Sequence, residues 1–376
     1  MLKKRNKKIE QVFFALLRSG LWERGCRLSQ FMPIDFTEVL KLAQEQSSVG
    51  LIAAGIGHVK DMKPEKKDVF PFIGQTVQLE HRNMAMNNFI GVIVEKMRDE
   101  GIKALLVKGQ GIAQCYERPL WRSCGDVDLL LDDENYQLAK PFLIPLATSV
   151  DEEDLGKKHL GMTIDPWVVE LHGSLHGSLA ARIDRMLDEI QQDTFEKDET
   201  RIWKDGETDV LLPNADNDVI FVFTHILQHF FKGGIGVRQI CDWCRLLWTY
   251  RYEIDHSKLE MRLKRMSLMS EWKAFAEFAV EYLGMPSDAM PLYSQQSKWR
   301  RKAQRINAFI IKMGNFGHNQ DMSYINEKGF VTRKLISLTH SLQYTFDRLH
   351  IFPKDSLAFY IPYLFAGSRD TLKGKG

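Results

Sequence analysis

The sequence predicts an α+β protein, with a small mixed-sheet core flanked by N-terminal and C-terminal helical regions. Short apolar runs bounded by glycine, lysine or aspartate lie near the middle of the chain, and they are typical of buried strands. A helical pattern separates two of these runs, and helical apolar spacing prevails before and after them. We therefore expect an N-terminal helical region over residues 1–98, the core over 99–212 and a C-terminal helical domain over 213–376.

The N-terminal region begins with a basic stretch over residues 3–8, and an amphipathic helical pattern follows it. A second helix is expected to begin at Phe36, with Thr37 as its N-cap. A third helix, over about residues 73–100, is rich in polar residues and carries one apolar stripe. Gly101 is expected to end it.

The core is expected to contain three strands, which are the apolar runs over 104–107, 127–131 and 167–172. The first strand leads into a lysine and a glycine-rich stretch over 108–111, which is typical of a turn. A helix over 134–143 is expected between the second and third strands. The C-terminal region shows helical spacing again, over 221–231, 239–250, 273–283 and 302–312.

The composition is ordinary for a folded protein, with 44% apolar and 27% charged residues. The 51 basic and 49 acidic residues nearly balance, which gives no support for a general nucleic-acid coat. The longest apolar stretch, over 357–367, is shorter than the ~18–20 residues that cross a membrane. Five cysteines without the spacing of a disulfide framework fit a reducing compartment. The sequence therefore predicts a cytoplasmic protein.

Two aspartates in the second strand point to the chemistry. Asp126 and Asp128 are two residues apart, so their side chains share one face of the strand, opposite Val127 and Leu129. Neighbouring carboxylates repel each other unless a cation lies between them. Mg²⁺ prefers oxygen ligands, and two such ions about 4 Å apart clamp the attacking and leaving oxygens of a phosphoryl or nucleotidyl transfer. The pair therefore predicts a metal site for phosphoryl-type chemistry.

Side chains from neighbouring segments would complete this site. Glu170 is the best third carboxylate, because its strand would lie beside the aspartate strand, and His172 shares its face. Lys108 and the glycine turn after it would hold phosphate through one ammonium group and backbone N–H groups. Arg122 would add another positive charge. The turn is not a Walker A loop, because its glycines and lysine stand in a different order.

The whole pattern resembles the polymerase β-type nucleotidyltransferase superfamily, in which a glycine turn precedes a Gly-Asp-hydrophobic-Asp strand. Within it, the chain resembles a family of largely uncharacterised bacterial nucleotidyltransferases. The matching residues are Lys108-Gly109, Tyr116, Arg122, Gly125-Asp126-Val127-Asp128-Leu129-Leu130, Glu170-Leu171-His172, His225 and Asp242. The close resemblance covers residues 105–172, with looser support as far as residue 247.

The resemblance implies a metal-dependent enzyme that moves a nucleoside monophosphate from a nucleoside triphosphate, such as ATP, to an acceptor. The acceptor stays open among a small molecule, a sugar, a protein and an RNA. The acids that bind Mg²⁺ (or Mn²⁺) and serve catalysis would be Asp126, Asp128 and Glu170. The residues that bind the nucleotide would be Lys108, Gly109, Gly111 and Arg122. Other possible residues of the cleft are His172, His225, Arg238 and Asp242.

The glycine turn departs from the superfamily pattern. Two other functions therefore remain possible for the chain. The superfamily commonly has Gly-Ser or Gly-Gly where this chain has Gly109-Gln110-Gly111. The alternative is therefore a catalytically silent module that binds a nucleotide or a partner on the same fold. A third hypothesis is a toxin-like transferase that modifies RNA or a protein.

Two helical patterns also allow more than one interpretation. His225 and His229 precede the motif Cys241-x-x-Cys244, and this set would suit a tetrahedral zinc site. Packing in a helical core explains both pairs as well. Arg238 and Asp242 are four residues apart, so they either form an ion pair on a helix face or reach the cleft.

Overall fold

The computed structural model describes residues 6–177, 179–315 and 344–359 of the 376-residue chain. Residues 3–5 of the basic start and 360–367 of the apolar C-terminal stretch lie outside this part. Helices flank a five-stranded mixed sheet and a two-stranded sheet, which confirms the predicted α+β class. The helices are α1 (Lys7–Trp22), α2 (Phe36–Glu45), α3 (Val49–Gly57), α4 (Lys66–Asp99), α5 (Gly109–Ala113), α6 (Asp133–Leu143), α7 (Ala181–Glu196), α8 (Ala215–Lys232), α9 (Val237–Thr249), α10 (His256–Arg265), α11 (Met269–Leu283) and α12 (Ser297–Met313).

The strands form one mixed sheet and one hairpin. They are β1 (Leu105–Val107), β2 (Asp126–Leu130), β3 (Ser149–Val150), β4 (His159–Ile164), β5 (Trp167–His172), β6 (Thr200–Asp205) and β7 (Thr208–Pro213). The order in the five-stranded sheet is β1-β2-β5-β4-β3, and β6 pairs with β7. The pair β2–β5 is parallel, whereas the other neighbours are antiparallel. The strand with Glu170 therefore lies beside the strand with the two aspartates, as expected.

The N-terminal helices begin at other residues than the sequence predicts. The N-cap of α2 is Asp35, whose carboxylate accepts a hydrogen bond from the N–H of Thr37, so the prediction of Thr37 as the cap is wrong. Helix α4 begins earlier than predicted, and its additional turns bring Phe72 into the core. Gly101 follows the end of α4 with a positive φ of 74°, which agrees with its predicted role.

Within the core, the glycine-rich stretch is not a simple turn, and that prediction is wrong. The chain reverses at Lys108 and Gly109, which have positive φ values of 57° and 38°, and Gly109 already begins the short helix α5. The predicted strands near residues 105, 128 and 170 are present. The sequence does not predict β3, β4, β6 and β7, because histidine, threonine, lysine or aspartate residues interrupt the apolar residues of these strands.

The five-stranded sheet separates two hydrophobic clusters. Side chains alternate along β1 and β2, so Leu105 and Leu130 join the larger cluster, which contains residues of α1, α8 and α9. Leu106, Val127 and Leu129 join the smaller cluster, which contains residues of α4 and α6. The predicted core position of Val127 and Leu129 is therefore confirmed. The opposite face of β2, which carries the aspartates, is turned toward the C-terminal helices.

In the described part of the chain, no helix is both long enough and apolar enough to cross a membrane. The predicted division after residues 98 and 212 stays a prediction. In the structure, α4 ends at Asp99 and β7 ends at Pro213.

Helices α1 and α3 approach each other closely at glycines. A Cβ atom on Gly55 would lie 2.1 Å from the carbonyl oxygen of Leu16, far inside contact distance. We expect Gly55→Ala to lower the free energy of unfolding by about 1–3 kcal/mol, because the two helices must move apart. Urea unfolding measures this change.

The matched control is Gly57→Ala in the same helix, where an added Cβ would have no neighbour within 4 Å among the described residues. This variant should be neutral or slightly stabilising, because alanine favours helix more than glycine does. If both variants unfolded at the same urea concentration, the close approach of α1 and α3 would not hold.

Candidate active site

A cavity of about 430 Å³ lies between one face of the five-stranded sheet and helices α8 and α9. All the predicted site residues except Gly111 line it. They are Lys108, Gly109, Arg122, Asp126, Asp128, Glu170, His172, His225, Arg238 and Asp242. The structure therefore brings them to one place, while the role of each residue stays a prediction.

Three carboxylates meet in this cavity because β2 and β5 are parallel neighbours. Asp128 is opposite Glu170 in the strand register, and Asp126 lies two residues earlier on the same face. Only 2% of the Asp128 surface is exposed, whereas Asp126 and Glu170 are half-buried. The negative charge of Asp128, together with burial, raises the pKa of Asp126. The two aspartates therefore repel each other.

Lys108 lies against this pair of aspartates. Its Nζ donates a hydrogen bond of 2.6 Å to Oδ1 of Asp128. Burial alone would lower the pKa of Lys108, but the carboxylates of Asp128, Glu170 and Asp126 together outweigh burial, and the pKa is raised. Burial alone would raise the pKa of Asp128, but Lys108 and His172 outweigh it, and the pKa is lowered. Lys108 and Asp128 are therefore a buried pair in which both groups are charged.

Two histidines surround Glu170. Nε2 of His172 is 2.7 Å from Oδ1 of Asp128 and 3.4 Å from Oε2 of Glu170. Nε2 of His159 is 3.3 Å from the same Oε2 atom. Hydrogen bonds with His159 and His172 lower the pKa of Glu170. No motif in the sequence predicts that His159 belongs to this site. His159 begins β4, and only the pairing of β4 with the Glu-Leu-His strand brings it beside Glu170.

The two glycines after Lys108 have different surroundings. Gly109 has a positive φ of 38°, and an added Cβ would lie 3.3 Å from Sγ of Cys124. Gly109 lines the cavity, so its backbone is placed where the sequence predicts a nucleotide. An added Cβ on Gly111 would lie 2.8 Å from Cδ2 of Leu212 in β7. Packing against the hairpin, on the far side from the cavity, therefore explains the absence of a side chain at Gly111.

Arg122 is held by a buried carboxylate. Its Nε and Nη2 atoms donate hydrogen bonds to the two carboxylate oxygens of Asp242 at 3.0 and 2.8 Å. Tyr116 and Arg238 donate to the same carboxylate at 2.8 and 3.0 Å. Burial alone would lower the pKa of Arg122, but Asp242 raises it above the ordinary value. Arg238 and Asp242 thus form the predicted ion pair and also line the cavity.

One nitrogen of the Arg122 guanidinium takes no part in this network. Among the described residues, Nη1 of Arg122 has no hydrogen-bond partner although it is buried. The predicted contact of Arg122 with a triphosphate stays a prediction, and this single nitrogen is the group that would make it.

His225 and His229 face the cavity from α8, and their Nε2 atoms are 2.9 Å apart. Cys241 and Cys244 are fully buried in the larger hydrophobic cluster. Among the described residues, three metal-ligating side chains come close together at His159, Glu170 and His172, and not in this set. The structure therefore gives no support to a zinc site of two histidines and two cysteines, and core packing explains the cysteines.

The buried histidines predict a pH dependence of stability. Burial, with the nearby charges of Lys108 and Lys232, lowers the pKa of His229 from 6.5 to about 4. A pKa that is lower in the folded than in the unfolded chain stabilises the fold above pH 6.5, and this stabilisation is lost as the pH falls toward 4. We expect the free energy of unfolding to fall across this window and to fall less steeply in His229→Gln.

The measurement is urea unfolding between pH 7 and pH 4. The control is His256→Gln, at the exposed first residue of α10, which should keep the slope of the wild type. An unchanged slope in His229→Gln would show that His229 is not a buried neutral imidazole.

Other polar side chains of the cavity have no motif that predicts them. They include Lys157, Ser174, Gln228 and Lys232. The first two lie in loops around β4 and β5, and the last two lie on α8. Only the packing of α8 on the sheet brings these four side chains together, and the spacing of residues in the sequence does not predict this packing.

The comparison with protein families agrees with this geometry. Residues 32–284 match the model of a family described as uncharacterised nucleotidyltransferase. The matched region is more than half of the chain and contains all the residues of the cavity. No curated protein and no solved structure gives a significant match. The resemblance to nucleotidyltransferases is confirmed, and the chain belongs to the uncharacterised nucleotidyltransferase family.

Proposed function

We propose that the protein is a metal-dependent nucleotidyltransferase, which moves a nucleoside monophosphate from a nucleoside triphosphate to an acceptor. The observation that carries the proposal is the meeting of Asp126, Asp128 and Glu170 on one face of two parallel strands. This face borders a cavity of about 430 Å³, which is within the range of small-molecule sites. Lys108 lies beside the carboxylates in the same cavity.

The donor set fits a divalent cation. Asp126 and Asp128 repel each other strongly enough to raise the pKa of Asp126, and a cation between them would remove this cost. Mg²⁺ or Mn²⁺ would be held by Asp126, Asp128 and Glu170, in keeping with the preference of these ions for oxygen ligands. When bound, the metal would neutralise charge that develops on the phosphate oxygens.

The side chains of the protein would orient the two substrates. Lys108, Lys157, Lys232 and Arg238 line the cavity and supply positive charge for the triphosphate. The acceptor oxygen forms a bond to the α-phosphorus, the bond from this phosphorus to the β-phosphate oxygen breaks, and pyrophosphate leaves. Glu170 would either help to hold the metal or accept the proton of the acceptor hydroxyl, and in the first case this proton passes to water. Holding both substrates in line is the main contribution expected from the protein.

The test is label transfer into a cell extract from triphosphates labelled at either the α- or the γ-phosphate. Transfer of the α-label together with release of pyrophosphate is the expected result. Transfer of the γ-label alone would show a kinase instead and would contradict the proposal. The labelled product would identify the acceptor class, whether it is a small molecule, a sugar, a protein or an RNA. A toxin-like activity would appear as label on RNA or on a single protein.

One contact favours the catalytically silent module as a second candidate. Nζ of Lys108 and Nε2 of His172 both bind Oδ1 of Asp128, so this carboxylate already has two positive or polar partners. If the protein is a catalytically silent module, it should bind a nucleotide but transfer neither label. Isothermal titration calorimetry measures the binding. Transfer of the α-label by the wild type would exclude it.

A further inference from the structure

We propose that His159, Glu170 and His172 form a site for a transition-metal ion that accepts imidazole ligands, such as Mn²⁺ or Zn²⁺, in preference to Mg²⁺. One ligand atom from each residue lies within 4.8 Å of the other two. Both histidines direct Nε2 toward the same Glu170 oxygen, Oε2. All three residues line the cavity of the candidate active site.

The distances from the Glu170 oxygen to the two histidine nitrogens are those expected between ligands of one ion. Oε2 of Glu170 is 3.3 Å from Nε2 of His159 and 3.4 Å from Nε2 of His172. Ligands bound at about 2.0–2.1 Å in tetrahedral geometry are about 3.3–3.4 Å apart. All three ligand atoms lie within 4.8 Å of one another, so small movements of the side chains would let one ion contact all of them. A neutral imidazole offers a lone pair on one ring nitrogen. Each Nε2 therefore becomes a ligand when it loses the proton through which it contacts Glu170 or Asp128.

The sheet holds the three residues in this arrangement. Glu170 and His172 are two apart on β5, so they share a face, and His159 is opposite His172 on the antiparallel neighbour β4. The rings of the two histidines are 4.9 Å apart between their centroids. Sites built on strands are more rigid than sites built on loops, which favours a defined coordination geometry.

The chemistry of the ligands decides the class of metal. Imidazole suits Zn²⁺ and other transition metals, whereas Mg²⁺ is bound through carboxylates, phosphates and water. Two histidines and one glutamate with an open fourth position are a known pattern of catalytic zinc sites. The carboxylate of Asp128 borders the same position, because its Oδ1 is 2.7 Å from Nε2 of His172. The Asp126 and Asp128 pair would remain the oxygen-rich part of the site.

Metal binding at this site can be measured without turnover and does not depend on the proposed function. Only the reaction that the bound ion would serve rests on the proposed function. Both histidines contact Oε2 of Glu170, which leaves Oε1 for the proton of the acceptor. A site of this kind would make the protein bind Mn²⁺ more tightly than Mg²⁺ at these three residues.

The test is pulsed electron paramagnetic resonance of the full-length protein with Mn²⁺ alone. Coupling between the manganese electron spin and the ¹⁴N nuclei of imidazole is expected in the wild type. His159→Gln should weaken this coupling and raise the Kd for Mn²⁺ by about 10-fold or more. The control is His176→Gln, which alters a histidine of the same cavity that pairs with Asp188, and it should leave both the coupling and the Kd unchanged.

A second measurement is competition between the two ions. A hundredfold excess of Mg²⁺ should leave most of the bound Mn²⁺ in place, as free Mn²⁺ detected by its room-temperature spectrum would show. Absence of ¹⁴N coupling in the wild type, or displacement of Mn²⁺ by an equal concentration of Mg²⁺, would overturn the inference. Label transfer with Mg²⁺ but without ¹⁴N coupling would support the proposed function and contradict the histidine metal site. ¹⁴N coupling without label transfer would support the histidine metal site and contradict the proposed function.

Discussion

We expect Asp126→Asn to reduce nucleotidyl transfer by about 10²- to 10³-fold or more while the folded protein remains at least as stable as the wild type. Asp126 is half-buried, and the repulsion from Asp128 raises its pKa. Removing its charge therefore relieves a repulsion in the folded state. The loss of activity follows because the carboxylate is one of the groups that would hold the metal. Label transfer measures the activity, and urea unfolding measures the stability.

The matched variant is Asp128→Asn, which removes a charge only two residues away. Asp128 is the partner of the buried Lys108 at 2.6 Å, so this variant leaves an ammonium group without its counter-ion. We expect a loss of about 3–5 kcal/mol of stability as well as a loss of transfer. Full metal-dependent transfer by a folded Asp126→Asn protein would refute the assignment. Equal stabilities of the two variants would refute the buried pair.

We expect Asp242→Asn to lower the free energy of unfolding by about 3–5 kcal/mol. Asp242 is the shared acceptor of Arg122, Arg238 and Tyr116, and both Arg122 and Asp242 are buried. The neutral amide cannot balance the two guanidinium groups, which then stay in the protein interior as uncompensated charges. Urea unfolding at neutral pH measures this loss.

The control is Arg265→Ala, which breaks an equally short ion pair at the surface. Arg265 contacts Glu189 at 2.6 Å, but about half of each side chain is exposed, with 52% and 49% of their surfaces accessible. Water and salt screen such a pair, so the loss should be only about 0–1 kcal/mol. A loss as small for Asp242→Asn would mean that Asp242 does not organise the cavity wall.

The elements that the sequence predicts best are those with a regular pattern and a local cause. The Asp-x-Asp spacing places Asp126 and Asp128 on one face of a strand in any sheet, because strand side chains alternate. The apolar spacing of α8 and α9 likewise predicts their existence in any packing. These local rules and the family resemblance were sufficient to identify the carboxylates and most of the charged groups of the candidate site, but not most of the residues that line the cavity.

The elements that the sequence does not predict depend on distant contacts. His159 becomes a neighbour of Glu170 only through the pairing of β4 with β5. Gly111 resembles a ligand-binding glycine in the sequence, but Leu212, far along the chain, is the reason for its lack of a side chain. The N-cap of α2 is Asp35 and not Thr37, because the Asp35 carboxylate accepts hydrogen bonds from the N–H groups of Thr37 and Glu38, which places Thr37 inside the helix.

The long separation between Arg122 and Asp242 has a consequence for synthesis of the protein. The two residues are 120 positions apart, and β2 with its aspartates lies between them in the chain. On a ribosome, the sheet can leave the exit tunnel while α8 and α9 are still unmade, and its charged face is then open to water. Slow closure of contacts between distant residues is a general feature of chain folding. A nascent chain that stops before residue 242 would therefore lack the carboxylate that pairs with Arg122, and the cavity wall is complete only after translation has passed this residue.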